Sequence, residues 1–115
     1  MGGGILPVAF YKGKVYFLFS REQINSTQDA GLWSDFGGAR DKGETFFETA
    51  SREAYEESTG FLGSLKNIEN LIENKTLFTI TKKKHRTYIV LIDYDRSLPK
   101  RFRNKFNKIK NTKPH

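Results

Sequence analysis

The sequence predicts one α+β domain, a mixed α/β sandwich, because strand-like segments both precede and follow a central helical segment. Four segments are rich in the β-branched and aromatic side chains that favour strands. Two of them precede the helix, at residues 5–10 and 15–20, and two follow it, at residues 77–81 and 87–93. A chain of 115 residues has room for one modest hydrophobic core. We therefore place a single domain at residues 3–115.

The first two strands are predicted to form a hairpin. Residues 11–14 separate them and contain Gly13, which suits a tight turn. Residues 22–31 are polar and turn-prone, so they are predicted to form an exposed loop. A short strand at residues 32–36 then leads into Gly37 and Gly38, where the lack of side chains lets the backbone approach a ligand closely.

The central helix has clear signals at both ends. Thr45 and Glu48 have the spacing of a capping box, and Gly60 can adopt the left-handed conformation that ends a helix. Four residues share one arc of this helix and are predicted to pack inward: Phe47, Ala50, Ala54 and Ser58.

A different arc of the same helix carries three carboxylates. At 100° per residue, Glu53, Glu56 and Glu57 fall within an arc of about 100°. Like charges three or four residues apart cost a helix about 0.2–0.5 kcal/mol per pair, and Arg52, which can reach Glu56, offsets only part of this cost. Carboxylates clustered without enough positive partners indicate a divalent metal site.

Six residues around this helix resemble the signature of the Nudix hydrolases, a family that cleaves nucleoside diphosphates linked to another moiety. They occur at the family's spacing, and they are Gly38, Glu44, Arg52, Glu53, Glu56 and Glu57. The resemblance implies a Nudix-like fold, in which a mixed β-sheet is flanked by helices on both sides. It also implies hydrolysis of a diphosphate linkage by a metal-activated water.

The resemblance further implies a set of metal ligands. Glu53, Glu56 and Glu57 would hold one or more Mg²⁺ or Mn²⁺ ions, and the backbone carbonyl of Gly37 or Gly38 would add an oxygen. Such ions prefer a few carboxylates together with phosphate oxygens and water.

The catalytic set implied by the resemblance is Glu44, Arg52, Glu53 and Glu57. In it, Arg52 would orient the glutamates by salt bridging and Glu44 would brace the loop. The general base is a glutamate next to the metal or one from another loop. Acidic residues outside the signature that could join the site are Glu69, Glu73, Asp93 and Asp95.

Positive charge is concentrated at the C-terminal end. The chain has a net charge of +7, yet its first 95 residues sum to −1. Residues 96–113 carry eight Lys or Arg and no acid, and Leu98, Phe102, Phe106 and Ile109 recur at helical spacing, which predicts a basic helical segment within residues 96–115. This segment either docks by its apolar stripe or attracts a polyanion such as RNA.

A second basic run, at residues 82–86, is predicted to be the tip of the last hairpin. Its candidate substrate-binding residues are Lys82, Lys84 and Arg86, which would contact phosphate or RNA if the tip lies at the mouth of the site. The alternative is plain solvated lysine. His85, within the same run, is predicted to be an exposed turn residue.

Three substrate classes are compatible with these features. The first is a small nucleoside di- or triphosphate derivative, the second is capped or 5′-phosphorylated RNA, and the third is a diphosphorylated inositol phosphate. From a different functional class, the chain could be a nucleotide-binding or RNA-binding module without turnover. The intact glutamate set favours an enzyme.

Composition excludes several other classes of protein. The absence of cysteine excludes disulfides and cysteine-based chemistry. No apolar run approaches 18 residues and no secretory signal is visible, so we expect a cytoplasmic protein without a membrane partner. The oligomeric state stays open. Family domains usually run longer, which leaves open a domain shortened at its C-terminus.

Overall fold

The computed structural model describes residues 1–21, 33–58 and 60–94. They form seven strands and two helices. In chain order these are β1 (Gly2–Tyr11), β2 (Lys14–Phe17), β3 (Ser20–Arg21), β4 (Trp33–Ser34), β5 (Phe36–Ala39), α1 (Phe46–Glu57), α2 (Leu65–Lys75), β6 (Thr76–Lys82) and β7 (His85–Leu91). The predicted loop at residues 22–31 and the predicted basic helix at residues 96–115 lie outside the described residues.

The five longer strands form one mixed sheet. Its order is β2-β1-β7-β6, and β5 also pairs with β1. The β1–β7 pair is parallel, whereas β1–β2, β1–β5 and β6–β7 are antiparallel. Since β7 occupies one edge of β1, β2 and β5 share the other edge. The mixed sheet of the predicted α+β fold is therefore confirmed.

Both helices pack into one core on a single face of the sheet. Ala50 and Ala54 of α1 are fully buried with Ile68 of α2, against Ile5 of β1 and Val90 of β7. Burying one Ile or Val side chain contributes about 1.5–3 kcal/mol, so these contacts hold the three elements together. The inward-facing arc predicted for the central helix is confirmed.

The second helix, α2, was not predicted from the sequence. Ser64 caps it by accepting a hydrogen bond from the backbone N–H of Asn67, and Ile68 and Ile72 lie buried on its inner side. In the described residues both helices lie on the same face. The helix that the family resemblance implies on the other face is not found in this part of the chain.

Two local predictions were wrong. The predicted strand was expected to end at residue 36, but Gly37 and Gly38 lie inside β5, where they pair with Gly4 and Gly3 of β1. His85 is not a turn residue, because it begins β7 and pairs with Lys82. Only Lys83 and Lys84 remain in the hairpin turn. In both cases strand pairing extended further than local propensity indicated.

The described helices are short relative to a lipid bilayer. None of those within residues 1–21, 33–58 and 60–94 is long and apolar enough to cross a membrane.

Candidate active site

Helix α1 begins with the predicted capping box. The Thr45 hydroxyl accepts from the Glu48 backbone N–H at 3.1 Å, and the Glu48 carboxylate accepts from the Thr45 backbone N–H at 2.8 Å. This reciprocal pair satisfies two N–H groups that would otherwise lack partners at the helix start. Glu48 therefore caps the start of α1, and it lies on a different side of the helix from the three carboxylates.

A close backbone approach brings α1 against the glycines of the sheet. A Cβ added to Gly38 would lie 2.4 Å from Oε1 of Glu53. A Cβ added to Gly3 would lie 3.0 Å from the carbonyl oxygen of Phe46. The absence of side chains at these two positions thus lets the helix lie on the sheet and places the Glu53 carboxylate directly on the backbone of β5.

Arg52 connects the loop before α1 to the carboxylates on it. Its Nε lies 2.8 Å from Oε2 of Glu44, and its Nη2 donates to the carbonyl of Ala39 at 3.0 Å. Its Nη1 donates to Glu53 at 3.0 Å and to Glu56 at 3.2 Å. One rigid, forked guanidinium therefore positions groups from β5, the loop and two turns of the helix.

Glu44 is the main acceptor on the loop side of this network. Besides Arg52, it accepts from the Asp41 backbone N–H and the Thr49 hydroxyl, both at 2.9 Å. The Arg52 hydrogen bonds, followed by that from Asp41, lower the pKa of Glu44 from 4.5 to about 2. The same contact with Glu44 raises the pKa of Arg52, so the pair stays ionised throughout the physiological range.

The three carboxylates on the outer arc of α1 differ in their surroundings. The side chain of Glu53 is 17% exposed and that of Glu56 is 56% exposed. Glu57 accepts from the Ser20 hydroxyl of β3 at 3.1 Å. Across the described residues, no three acidic or histidine side chains are close enough to form a metal cluster.

The types of ligand nevertheless suit Mg²⁺ or Mn²⁺. Carboxylates and backbone carbonyls are the oxygen donors that these ions prefer. Glu53 already lies against the backbone of Gly38, and Glu56 and Glu57 are next to it on the same helix face. Glu53, Glu56, Glu57 and the carbonyl of Gly37 or Gly38 are therefore the residues that would hold the ion.

The predicted substrate-binding residues lie around the end of the β6–β7 hairpin. Arg86 places its guanidinium 4.3 Å from the centre of the Phe46 ring and donates to the Thr81 hydroxyl. Lys84 lies in the turn, and its carbonyl accepts from the Gly2 backbone N–H at 2.8 Å. Lys82 lies two residues after Ile80 on β6 and so shares its sheet face. Lys82 pairs with His85, the residue before Arg86, so Lys82 and Arg86 lie on opposite faces of the sheet.

The further acidic candidates are spread over other elements. Glu69 and Glu73 lie on α2. Asp93 follows β7 and lines a separate cavity of about 340 Å³ with Lys75. Asp95 lies outside the described residues. No metal-binding group that includes any of the first three is found in the described chain.

The sheet face opposite the helices has a groove that the sequence did not predict. Its volume is about 530 Å³, and its apolar wall is formed by Leu6, Ile80 and Ile89. Gly37 and Gly38 form the side nearest the signature residues, and three polar side chains complete it: Asp35, His85 and Thr87. No local pattern marks these three, because they come from segments about 50 residues apart.

The fold, rather than the site, can be compared with solved structures. Similar folds are found in a Nudix hydrolase from M. smegmatis, RenU (TM-score 0.52, 20% identity, 82% of this chain and 61% of that one). Others are the C. elegans Ap4A hydrolase (TM-score 0.52, 18% identity, 81% and 67%) and its binary complex (TM-score 0.56, 18% identity, 83% and 67%).

Sequence comparisons reach less of the chain. An uncharacterised protein of Acanthamoeba polyphaga mimivirus is 43% identical over 58 residues, which are 49% of this chain and 18% of that protein. This chain therefore spans less than a fifth of that relative. No family model matches the sequence. The structural likeness carries the conclusion: the chain has the α+β fold, with its mixed sheet and two helices, of the Nudix hydrolases.

Proposed function

We propose that this chain is a metal-dependent Nudix-type pyrophosphohydrolase that cleaves a diphosphate linkage in a nucleoside diphosphate derivative. The observation that supports this most is the joint placement of Glu53 by Gly38 and Arg52. Gly38 leaves space for the Glu53 carboxylate. The Arg52 guanidinium donates a hydrogen bond of 3.0 Å to that carboxylate and also donates to Glu44 and to the carbonyl of Ala39. A solvated acidic helix face would need neither arrangement.

Each residue then has a part in the reaction. Glu44 and Arg52 hold the loop and the helix in one geometry, so the carboxylates are oriented before substrate arrives. The chemistry that bound Mg²⁺ or Mn²⁺ supplies is neutralisation of the diphosphate and a lower pKa of water. A glutamate of α1 accepts the proton of the attacking water, the new P–O bond forms, and the bridging P–O bond breaks.

The first test is hydrolysis of a panel of substrates with Mg²⁺ or Mn²⁺. The panel contains nucleoside diphosphate derivatives, capped and 5′-phosphorylated RNA, and a diphosphorylated inositol phosphate. We expect turnover of the nucleoside diphosphate derivatives, and none when the metal is chelated. Turnover of RNA or of the inositol phosphate alone would replace the proposed substrate class. Binding without any turnover would identify a non-catalytic module.

A second test uses two substitutions on different sides of α1. Glu57→Gln removes a carboxylate from the outer arc and should lower kcat by about 100-fold or more, because proton transfer or metal binding is lost. Circular dichroism should show an unchanged fold, since glutamine can still accept from Ser20.

Glu48→Gln is the matched control. Glutamine works at the third position of a capping box, so the helix start is kept. We expect a kcat within about twofold of the native value. Equal losses in the two variants, with both folded, would contradict the role of the outer arc.

A further inference from the structure

The groove on the far face of the sheet contains a polar trio with defined geometry. Nε2 of His85 lies 2.8 Å from Oδ2 of Asp35, and the Thr87 hydroxyl donates to the same oxygen at 2.5 Å. The Asp35 side chain is only 13% exposed. An ionised carboxylate accepts and never donates, so the His85 Nε2 carries its hydrogen towards Asp35.

The strand beneath the trio is shaped to accommodate it. A Cβ on Gly4 would lie 2.7 Å from Oδ2 of Asp35, and one on Gly2 would lie 2.8 Å from Nδ1 of His85. These two glycines alternate along β1 with Gly3, which faces α1. The run of three glycines thus makes room for the helix on one face and for the trio on the other.

The trio lies beside apolar surface and close to the proposed metal ligands. Leu6, Ile80 and Ile89 form one wall, and Gly37 and Gly38 form the other. Ligand pockets commonly combine such apolar walls with a few placed polar groups, at volumes of about 300–1,000 Å³. Gly38 lines the groove and also meets Glu53 on the other face of β5. In the described residues β5 pairs only with β1, so a ligand that passes around the free edge of β5 would reach the carboxylates.

The donors and acceptors of the trio determine which flat heterocycle can hydrogen-bond to it. The Thr87 hydroxyl donates its hydrogen to Asp35, so towards a ligand its oxygen can only accept a hydrogen bond. The Nε2–H of His85 is directed at Asp35 in the same way, so His85 holds the carboxylate in place. The Thr87 oxygen and the Asp35 carboxylate are therefore the hydrogen-bond acceptors that line the groove. The fitting ligand edge therefore carries adjacent N–H donors.

We propose that this groove binds the base of the nucleotide substrate, and that Thr87 and Asp35, which His85 holds in place, select guanine over adenine and uracil. Guanine has N–H donors on neighbouring ring and exocyclic nitrogens, whereas adenine offers one amino group beside an acceptor and uracil offers one N–H. Sites built to hydrogen-bond a group discriminate strongly against analogues that lack it. This inference rests on the proposed function and names its substrate class.

The test measures binding of products rather than turnover. Isothermal titration of the full chain with GMP, AMP, UMP and ribose 5-phosphate, each with Mg²⁺, gives four dissociation constants. We expect GMP to bind about tenfold or more tightly than AMP and UMP, and ribose 5-phosphate to bind weakest. Equal affinities for the three nucleotides would overturn the selection. Equal affinity for ribose 5-phosphate as well would overturn base binding in the groove.

Three variants connect the result to the groove. Thr87→Val and Asp35→Asn keep side-chain size and should weaken GMP binding by about tenfold while leaving ribose 5-phosphate unchanged. Ile80→Ala, at a half-exposed wall position, should weaken all three nucleotides. Thr79→Val is the control, because Thr79 alternates with Ile80 on β6 and faces away from the groove. Loss of GMP binding in Thr79→Val, or none in the other three, contradicts the proposal.

The same data separate this inference from the proposed function. If the panel of substrates is not hydrolysed but GMP binds selectively, the proposed reaction fails and the groove assignment stands. If substrates are hydrolysed without base preference, the reaction stands and the groove assignment fails.

Discussion

Gly37 and Gly38 are neighbours in the sequence but meet different surroundings. A Cβ on Gly37 would lie 2.5 Å from the carbonyl oxygen of Gly3, which is backbone in the middle of the sheet. A Cβ on Gly38 would meet the far end of the Glu53 side chain, which can rotate. The absence of a side chain at Gly37 is therefore needed for strand pairing, and its absence at Gly38 is needed for the placement of the Glu53 carboxylate.

We expect Gly38→Ala to lower kcat by about 100-fold with little loss of stability, because a carboxylate displaced by about 1 Å is poorly placed for the reaction. Gly37→Ala should instead destabilise the fold by about 1–3 kcal/mol, as over-packing does elsewhere. Urea unfolding and the hydrolysis assay measure the two effects. A stable, active Gly38→Ala protein would disprove the importance of the Gly38–Glu53 contact.

Glu44 couples the same network to pH. Its pKa is held at about 2 in the folded protein against 4.5 without the Arg52 and Asp41 hydrogen bonds. A carboxyl group with a lowered folded pKa contributes stability that is complete above its unfolded pKa. That contribution disappears as the pH falls from about 4.5 towards 2.

The corresponding experiment compares native protein with Glu44→Gln. Urea unfolding at pH 6 should show the variant less stable, since glutamine has no charge to pair with Arg52. The difference between the two free energies of unfolding should narrow at pH 4 and again at pH 3. A difference that stays constant over this range would mean that folding does not lower the pKa of Glu44.

The β6–β7 hairpin contains a strained turn. Lys83 and Lys84 have φ angles of 51° and 63°, in the left-handed region that non-glycine residues rarely adopt. Positive φ at both central positions is typical of a type I′ turn, for which Asn-Gly is the preferred sequence. Two lysines at this tip therefore reduce stability, a cost that a role for Lys84 in substrate binding would explain.

We predict that Lys83→Asn combined with Lys84→Gly raises stability by about 1 kcal/mol, because the left-handed conformation then costs less. Thermal unfolding should shift upward by about 4 °C or more. Lys42→Asn removes one lysine elsewhere, at a residue without positive φ, and should not stabilise. Lower activity in the double variant would assign a substrate contact to at least one of the two lysines. An unchanged Tm would contradict the proposal that the turn is strained.

For the molecule as a whole, metal binding should be linked to folding. Glu53, Glu56 and Glu57 repel one another on one helix face, and Arg52 supplies one positive charge against them. An ion that binds the native state alone stabilises it by mass action, by about 2.7 kcal/mol at 100 times its dissociation constant.

Mg²⁺ at millimolar concentration should therefore raise the Tm of the native chain. Glu56→Gln should show a smaller increase, since one ligand is missing while its side-chain size is kept. Differential scanning calorimetry at constant ionic strength, with NaCl replacing MgCl₂, separates specific binding from screening. If the Tm of the native chain does not respond to Mg²⁺, the proposed metal ligands do not form a site.

The sequence alone determined the structural features that depend on residues close together in the chain. The capping box of Thr45 and Glu48, the buried arc with Ala50 and Ala54, and the strands before and after α1 all follow from spacing within a few residues. Helix periodicity and capping are local effects, so they can be read without the rest of the chain. The same is true of the acidic arc.

Tertiary structure alone decided how distant segments meet. Asp35 and His85 are 50 residues apart, and Ser20 and Glu57 are 37 residues apart, yet each pair is within hydrogen-bond distance. Strand register decides which side chains share a sheet face, and a shift of one residue would move His85 and Thr87 to the other face. The groove and the partners of the carboxylates therefore depend on sheet pairing, which no short stretch of the sequence specifies.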